Sequence, residues 1–167
     1  MRDAARSRGF ALVELMTVVA IVGILSTVAV PSFMRMSIRS KTAERPIVMA
    51  ALLRSVEDLY RRNGSVTLAA GLNPAAPGTL KQVMTHGGDW DMIFSTVQIE
   101  GAVYYGYTVT AWEGATPGAT ITATGDLDGD GVPSFKSITY DRVNGMYVIH
   151  QPGGEVPPAG FEDTGTF

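Results

Sequence analysis

Residues 6–33 read RSRGFALVELMTVVAIVGILSTVAVPSF. Over residues 10–34 the run carries a single ionisable side chain, Glu14, and its length meets the roughly 20 residues that a helix needs to cross a hydrocarbon core. A secretory signal peptide and a plain transmembrane anchor share this outline, but neither accounts for Glu14. A signal peptide needs an uninterrupted apolar centre. An anchor gains nothing from an intramembrane carboxylate, which costs about 2.5–3.5 kcal/mol for Asp at a helix centre and less at the shallow depth of Glu14. The carboxylate calls for a partner.

Outward from this run, charge alone does not orient the segment. Arg2, Arg6 and Arg8 stand on one side, while Arg35, Arg39, Lys41 and Arg45 crowd the other, so a positive-inside count is ambiguous. The remaining length allows one compact domain beside the membrane element, in a chain of 167 residues that is 46% apolar and 17% charged. There is no cysteine, which excludes disulfides, thiolate metal sites, cysteine nucleophiles and lipid acylation at cysteine.

The arrangement of Gly9, Phe10, Glu14 and Pro31 within residues 6–33 resembles the processing and assembly segment of type IV prepilins and type II secretion pseudopilins. The resemblance covers about a fifth of the chain. It implies cleavage by a prepilin peptidase after Gly9 and methylation of the new terminal amine on Phe10. It also places Glu14 where the family keeps its glutamate, and Pro31 where a proline recurs. Ala11 and Val13 replace the family's commoner threonine and isoleucine, which are conservative departures. The resemblance also implies the orientation that charge leaves open: single-pass in the bacterial inner membrane with a cytoplasmic N-terminus, then in a periplasmic or cell-surface filament.

The chemistry is coherent without the name. A cleaved chain would carry an ammonium on Phe10 one helical turn from the Glu14 carboxylate, and pairing with the Glu14 of a neighbour would neutralise two charges that are each costly in lipid. The alternative is that Glu14 snorkels or bonds its own helix end. Arg2, Arg6, Arg8 and Asp3 precede Gly9; without them the 13 basic and 16 acidic residues become 10 and 15, a net of −5. That sign gives no overall attraction for nucleic acid.

Beyond Pro31 the pattern becomes amphipathic. Val48, Met49, Leu52, Leu53, Val56, Leu59 and Tyr60 recur at helical spacing, with Arg54, Glu57, Asp58, Arg61 and Arg62 on the opposite face. Asn63-Gly64 supplies a stop, and Pro46 implies a kink or a new helical start. Residues 64–92 read as a Gly/Pro/Ala-rich connection with a short helical turn around Leu80 to Met84. Strands are expected over residues 93–99, 103–112, 119–124, 134–141 and 146–150, the last two flanking a hairpin turn at Asn144-Gly145. Residues 151–167 read as an irregular tail.

The expected fold is α+β: a long N-terminal helix, half transmembrane and half amphipathic, packed on an antiparallel sheet of four or five strands, the type IV pilin fold that the resemblance implies. The expected organisation is a leader of residues 1–9, a membrane and assembly half of residues 10–34, and a soluble domain of residues 35–167. The family's C-terminal region is often closed by a disulfide, which this chain cannot form. Gly23 and Pro31 weaken the helix between them, so that stretch is expected to lose helical order within a filament.

Asp126, Asp128 and Asp130 alternate before Gly131, the spacing of the first half of a calcium loop, in which alternate side chains converge on one hard cation. Ser137 stands where an EF-hand would supply its bidentate glutamate, so any site needs carbonyls, water or distant acids; a solvated acidic turn is the competing reading. His86 and His150 have no second ligand at a zinc spacing. Tyr104, Tyr105, Tyr107 and Trp112 read as core and cross-strand packing rather than as a binding face. No nucleophile elbow and no phosphate-binding glycine loop is present, so the chain reads as non-enzymatic. The resemblance implies identical or homologous pilin subunits, the peptidase and an inner-membrane assembly platform as partners, and the membrane before assembly. It leaves open a type II pseudopilin, or a minor or tip pilin acting as an adhesin or DNA-uptake module.

Overall fold

The computed structural model describes residues 4–143 and 146–150. Contacts divide the chain into two units, residues 1–40 and 41–167.

The first unit consists of α1, Ala4–Thr42, a helix of 39 residues that continues two residues into the second unit. It runs unbroken through Gly23 and Pro31. Every polar side chain with a recorded bond along its apolar stretch turns back onto the helix: the hydroxyls of Thr17, Ser26 and Thr27 donate to the carbonyls of Glu14, Val22 and Ile24. That leaves their donors satisfied without water, the condition a helix meets in lipid. The large apolar side chains from Leu12 to Met34 are all exposed.

In the second unit α2 spans Glu44–Asn63. Pro46 marks a new start: it is the third residue of α2, where its missing N–H would have had no helical partner. Gly64 ends the helix at φ 73°, its N–H donating to the Tyr60 carbonyl. Only glycine takes that left-handed conformation without a steric cost. Glu57 pairs with Arg61 and Asp58 with Arg62 (2.7 Å) on the exposed face. Val48, Met49, Leu52, Val56, Leu59 and Tyr60 are buried on the other, against β4 and β5.

The strands are β1 (Leu68–Asn73), β2 (Gln82–Val83), β3 (Ala102–Val103), β4 (Gly106–Trp112), β5 (Gly118–Gly125), β6 (Ser134–Val143) and β7 (Met146–His150), with a short helix α3 (Asp89–Phe94) between β2 and β3. Five strands form one antiparallel sheet in the order β1-β4-β5-β6-β7, and β2 pairs with β3 separately. The α+β fold with an antiparallel sheet agrees with the sequence reading.

Four local readings are corrected, the simplest being residues 103–112, which divide at Tyr104 and Tyr105 between β3 and β4. Residues 93–99 are not a strand. Asp89 and Asp91 occupy the first turn of α3, Ile93 is buried, and the Ser55 hydroxyl on α2 donates to the Ile93 carbonyl at 3.0 Å. An apolar run without alternation is read by its tertiary partner, here a helix face. Residues 64–92 are not a plain connection, since β1 lies within them and takes an edge of the sheet by pairing Leu68, Ala69 and Ala70 with Ala111, Thr110 and Val109. Its alanines and glycine carry little strand propensity, and pairing with β4 supplies what propensity does not. Residues 82–83 form β2 in place of the expected helical turn. Asn144-Gly145 and the tail from residue 151 lie outside the described residues.

The two faces of the sheet differ in chemistry. Tyr107, Val109 and Ala111 on β4, Ala119, Ile121 and Ala123 on β5, and Tyr140 on β6 are buried on the α2 side. The opposite face carries Thr110, Thr120 and Thr139 in one cross-strand row and Thr108, Thr122 and Ser137 in the next.

Candidate functional site

Two places bear the residues singled out from sequence. The first is the start of α1. Gly9, Phe10 and Glu14 share one continuous helix, so Glu14 lies four residues, about 6 Å of rise, from the expected terminus. The side chain of Phe10 lies outside the described residues. Glu14 is exposed among Leu12, Val13, Leu15 and Met16, which are themselves exposed. A carboxylate embedded in an apolar surface can neutralise one ammonium brought to that surface by another chain. Gly23 has open space around it, and Pro31 lies on the same helix.

The second is the loop between β5 and β6. Asp126 organises it, one carboxylate oxygen accepting the Gly129 N–H at 2.8 Å and the other the Gly131 N–H at 3.0 Å. Gly129 and Gly131 adopt φ of 77° and 83°, which explains glycine at both positions. Asp130 accepts the Val132 N–H at 2.7 Å, and the Ser134 hydroxyl closes the loop on the Gly125 carbonyl at 3.0 Å. Leu127 anchors the loop by burial. The turn brings one oxygen from each of Asp126, Asp128 and Asp130 within 4.8 Å of the others.

Desolvation, a hydrogen bond with Asp126 and the charge of Asp130 hold the Asp128 carboxyl above the usual carboxylate range. One Asp128 oxygen, Oδ1, is sheltered from solvent without a hydrogen-bond partner. These are hard oxygen donors that a divalent cation would suit. Ser137 takes no part: it lies within β6, its hydroxyl bonded to that of Thr122 at 2.8 Å.

Of the remaining candidates, Tyr105 and Tyr107 are core residues, with burial pushing the Tyr107 phenol far up. Trp112 and Tyr104 are not. The ring of Tyr104 has the ammonium groups of Lys41 and Lys81 each 5.0 Å from its centroid. Glu44 ties this group to α2, accepting the Tyr104 N–H at 2.8 Å and pairing with Lys81 at 3.0 Å. Sequence reading missed the group, because its members are far apart in the chain and no motif links them. His86 is exposed, 3.3 Å from Asp91 and tilted against Phe94; the side chain of His150 lies outside the described residues.

Comparison with known proteins falls on the first site. The prokaryotic N-terminal methylation motif matches residues 4–30. A type IV major pilin protein PilA of Myxococcus xanthus is 44% identical over 55 residues, 33% of this chain and 25% of the relative. A probable minor fimbrial protein of Dichelobacter nodosus is 33% identical over 72 residues, 43% of this chain and 45% of the relative. A type IV major pilin protein PilE1 of Neisseria gonorrhoeae is 37% identical over 57 residues, 34% of each chain. The chain spans between a quarter and less than half the length of these relatives, and no solved structure matches it. The relatives are named as pilus and fimbrial proteins, not as enzymes. The helix that carries the methylation motif is thus similar to the N-terminal helix of type IV pilins, and it is this segment of the chain that the family likeness covers.

Proposed function

We propose that the chain is cut between Gly9 and Phe10 by prepilin peptidase, methylated on Phe10, held in the bacterial inner membrane by residues 10–34, and then assembled through α1 into a pilus or pilus-like filament. One observation carries the reading: the large apolar side chains from Leu12 to Met34 are all exposed, on the helix that matches the methylation motif. Such a surface is stable only in lipid or against other helices. In this reading the Phe10 ammonium of an incoming subunit meets the Glu14 carboxylate of a neighbour, which removes two desolvated charges and fixes register. Identical or homologous subunits and an inner-membrane platform are the partners. Gly23 and Pro31 let the intervening helix loosen as subunits pack.

The processing step is tested by replacing Gly9 with a bulky residue, which should leave uncut precursor in the membrane. Normal cutting of that variant would overturn the processing site. Mass spectrometry of sheared surface filaments then decides the finer role. A dominant signal makes the chain a major pilin, whereas traces make it a minor one, and relatives of both kinds leave that choice to the experiment. A chain confined to the cell envelope would instead act as a type II pseudopilin.

Calcium in the Asp126, Asp128 and Asp130 loop belongs to the same proposal. The converging oxygens and the sheltered Asp128 oxygen fit a hard cation. Bound there, calcium would clamp β5 to β6 in a chain that has no disulfide.

A further inference from the structure

The sheet face opposite α2 is an ordered hydroxyl surface between two aromatic side chains. Thr110, Thr120 and Thr139 stand side by side on β4, β5 and β6, and Thr108, Thr122 and Ser137 stand one row along. Neighbouring strands lie about 4.8 Å apart and successive rows about 6.8 Å apart. Trp112 borders one end, its ring over Gly118, where an added Cβ would lie 2.7 Å from the indole Cζ2. Phe135, 42% exposed and opposite Thr124, borders the other. Gly118 and Thr124 are six residues apart on β5, so the two aromatic rows are about 20 Å apart.

Threonine favours strands for its own sake, so its presence on a sheet needs no ligand. The absence of charge on these rows is what needs explaining. An exposed sheet face ordinarily carries acids and bases, and this chain has 29 of them in all. On β4, β5 and β6 this face has one charged residue, Asp141, at the rim beside Gly118. Such a surface offers nothing to a polyanion. Its apolar side chains, Trp112 at one end and Phe135 with Leu72 over Gly106 at the other, are separated by the two hydroxyl rows and form no contiguous apolar core of the kind a protein interface has.

The hydroxyls are also preorganised. Thr120 bonds Thr139 at 3.0 Å and Thr122 bonds Ser137 at 2.8 Å across β5 and β6. A β-branched side chain is already stiff at χ1, so little rotamer freedom is left to lose on binding. Each hydroxyl can donate once and accept twice, so the bonded pairs keep outward donors and acceptors of both kinds. The Trp112 indole N–H is satisfied by the Thr116 carbonyl at 3.0 Å, which pins that ring at its end of the array.

We infer that this face binds a neutral polysaccharide strand running along β5. Sugar hydroxyls would meet the two rows, and the C–H faces of pyranose rings would pack on Trp112 and Phe135, whose ring faces carry partial negative charge. The matched property is neutrality: a ligand made of hydroxyls and C–H faces answers a surface made of hydroxyls and aromatic rings. This goes beyond filament assembly and stands whether the chain is a major or a minor subunit.

The test uses the full-length protein in detergent, titrated with cellohexaose as a neutral probe and with a heparin oligosaccharide as an anionic one. Calorimetry should show binding of cellohexaose that is insensitive to salt. Phe135→Ala should weaken it about ten-fold, a loss of one stacking platform. The double variant Thr110→Val/Thr122→Val, which keeps strand propensity and removes only hydroxyls, should weaken it several-fold while the chain stays folded, with a melting temperature lowered by no more than the loss of the Thr122–Ser137 hydrogen bond allows. Equal affinity in all variants would overturn the proposal. So would salt-sensitive binding of heparin alone. Absence of cellohexaose binding at millimolar concentration, with lateral association of filaments lost in the same variants, would give the face to a second copy of the chain and would overturn it too.

Discussion

From Leu12 to Met34 each Leu, Ile, Val, Met and Phe side chain of α1 is exposed, whereas on α2 Val48, Met49, Leu52, Val56 and Leu59 are buried. Both are helices, and both satisfy their backbone internally. They differ in where their side chains find partners. Those of α2 meet the sheet and α3 of the same chain, and those of α1 need lipid or other chains. A helix apolar all round belongs in a membrane or in the core of a larger body, and one with a single apolar stripe covers a surface. One chain therefore contains two stabilities, one set by its own packing and one set by its surroundings, and mutations should separate them.

Glu14→Val should give the largest effect on the assembly side. Insertion and cutting should proceed, since removing the carboxylate lowers the cost of the span. Filament yield should fall by about ten-fold or more, the consequence of losing a paired charge of at least roughly 1.4 kcal/mol. The melting temperature of the second unit should not move. Filament yield equal to that of the parent would remove the pairing role.

Leu52→Ala inverts that pattern. Leu52 is fully buried on α2, and removing its side chain should cost about 2–5 kcal/mol of stability in the second unit, read by denaturant unfolding of the full chain in detergent. Membrane insertion and cleavage after Gly9 should remain normal. A smaller effect of the same kind is expected for Ser55→Ala. The Ser55 hydroxyl, which contacts the Thr96 hydroxyl as well as the Ile93 carbonyl, is a buried polar link between α2 and α3. Its loss should cost about 1–2 kcal/mol and raise hydrogen exchange at residues 89–97 ahead of the sheet. Uniform exchange across the sheet and α3 would show that the link does not hold α3 separately.

Legibility follows the same division. The long apolar helix and its methylation motif could be read because their signals are local: an apolar run, one carboxylate and a glycine at fixed spacing. The α2 stripe and its Gly64 stop were legible for the same reason, as were β5 and β6, where alternation is regular. What could not be read depends on partners distant in sequence. Leu68 and Ala70 become strand residues only because Val109 and Ala111 lie beside them. Residues 93–99 look like a strand until Ser55 and the buried Ile93 dock them as a helix end. The hydroxyl rows emerge only when three strands are placed in register, since each strand alone shows no more than ordinary threonine alternation. The acidic loop lies between these cases: its spacing was visible, but the sheltering of Asp128 was not.

That loop gives the smallest expected effect and the finest separation of intrinsic from environmental stability. With calcium chelated, three carboxylates share one turn, and Asp128 is held above the usual carboxylate range by desolvation, by its bond with Asp126 and by the charge of Asp130. A raised value in the folded chain means that the fold takes up a proton there more readily than the unfolded chain does. The associated stability is present below the ordinary carboxylate range and is lost as pH rises through the raised value. Asp128→Asn, which cannot ionise, should therefore match or slightly exceed the parent in melting temperature at neutral pH without calcium, and the difference should vanish in acid. Millimolar calcium should reverse the order at neutral pH, because a cation that binds only the folded state stabilises it by mass action and the variant has lost a ligand. The environment would then supply to this loop what lipid and neighbouring helices supply to α1. An equal calcium response in parent and variant would place the cation elsewhere and leave Asp126, Asp128 and Asp130 as a solvated turn ordered by the backbone N–H groups of Gly129, Gly131 and Val132 alone.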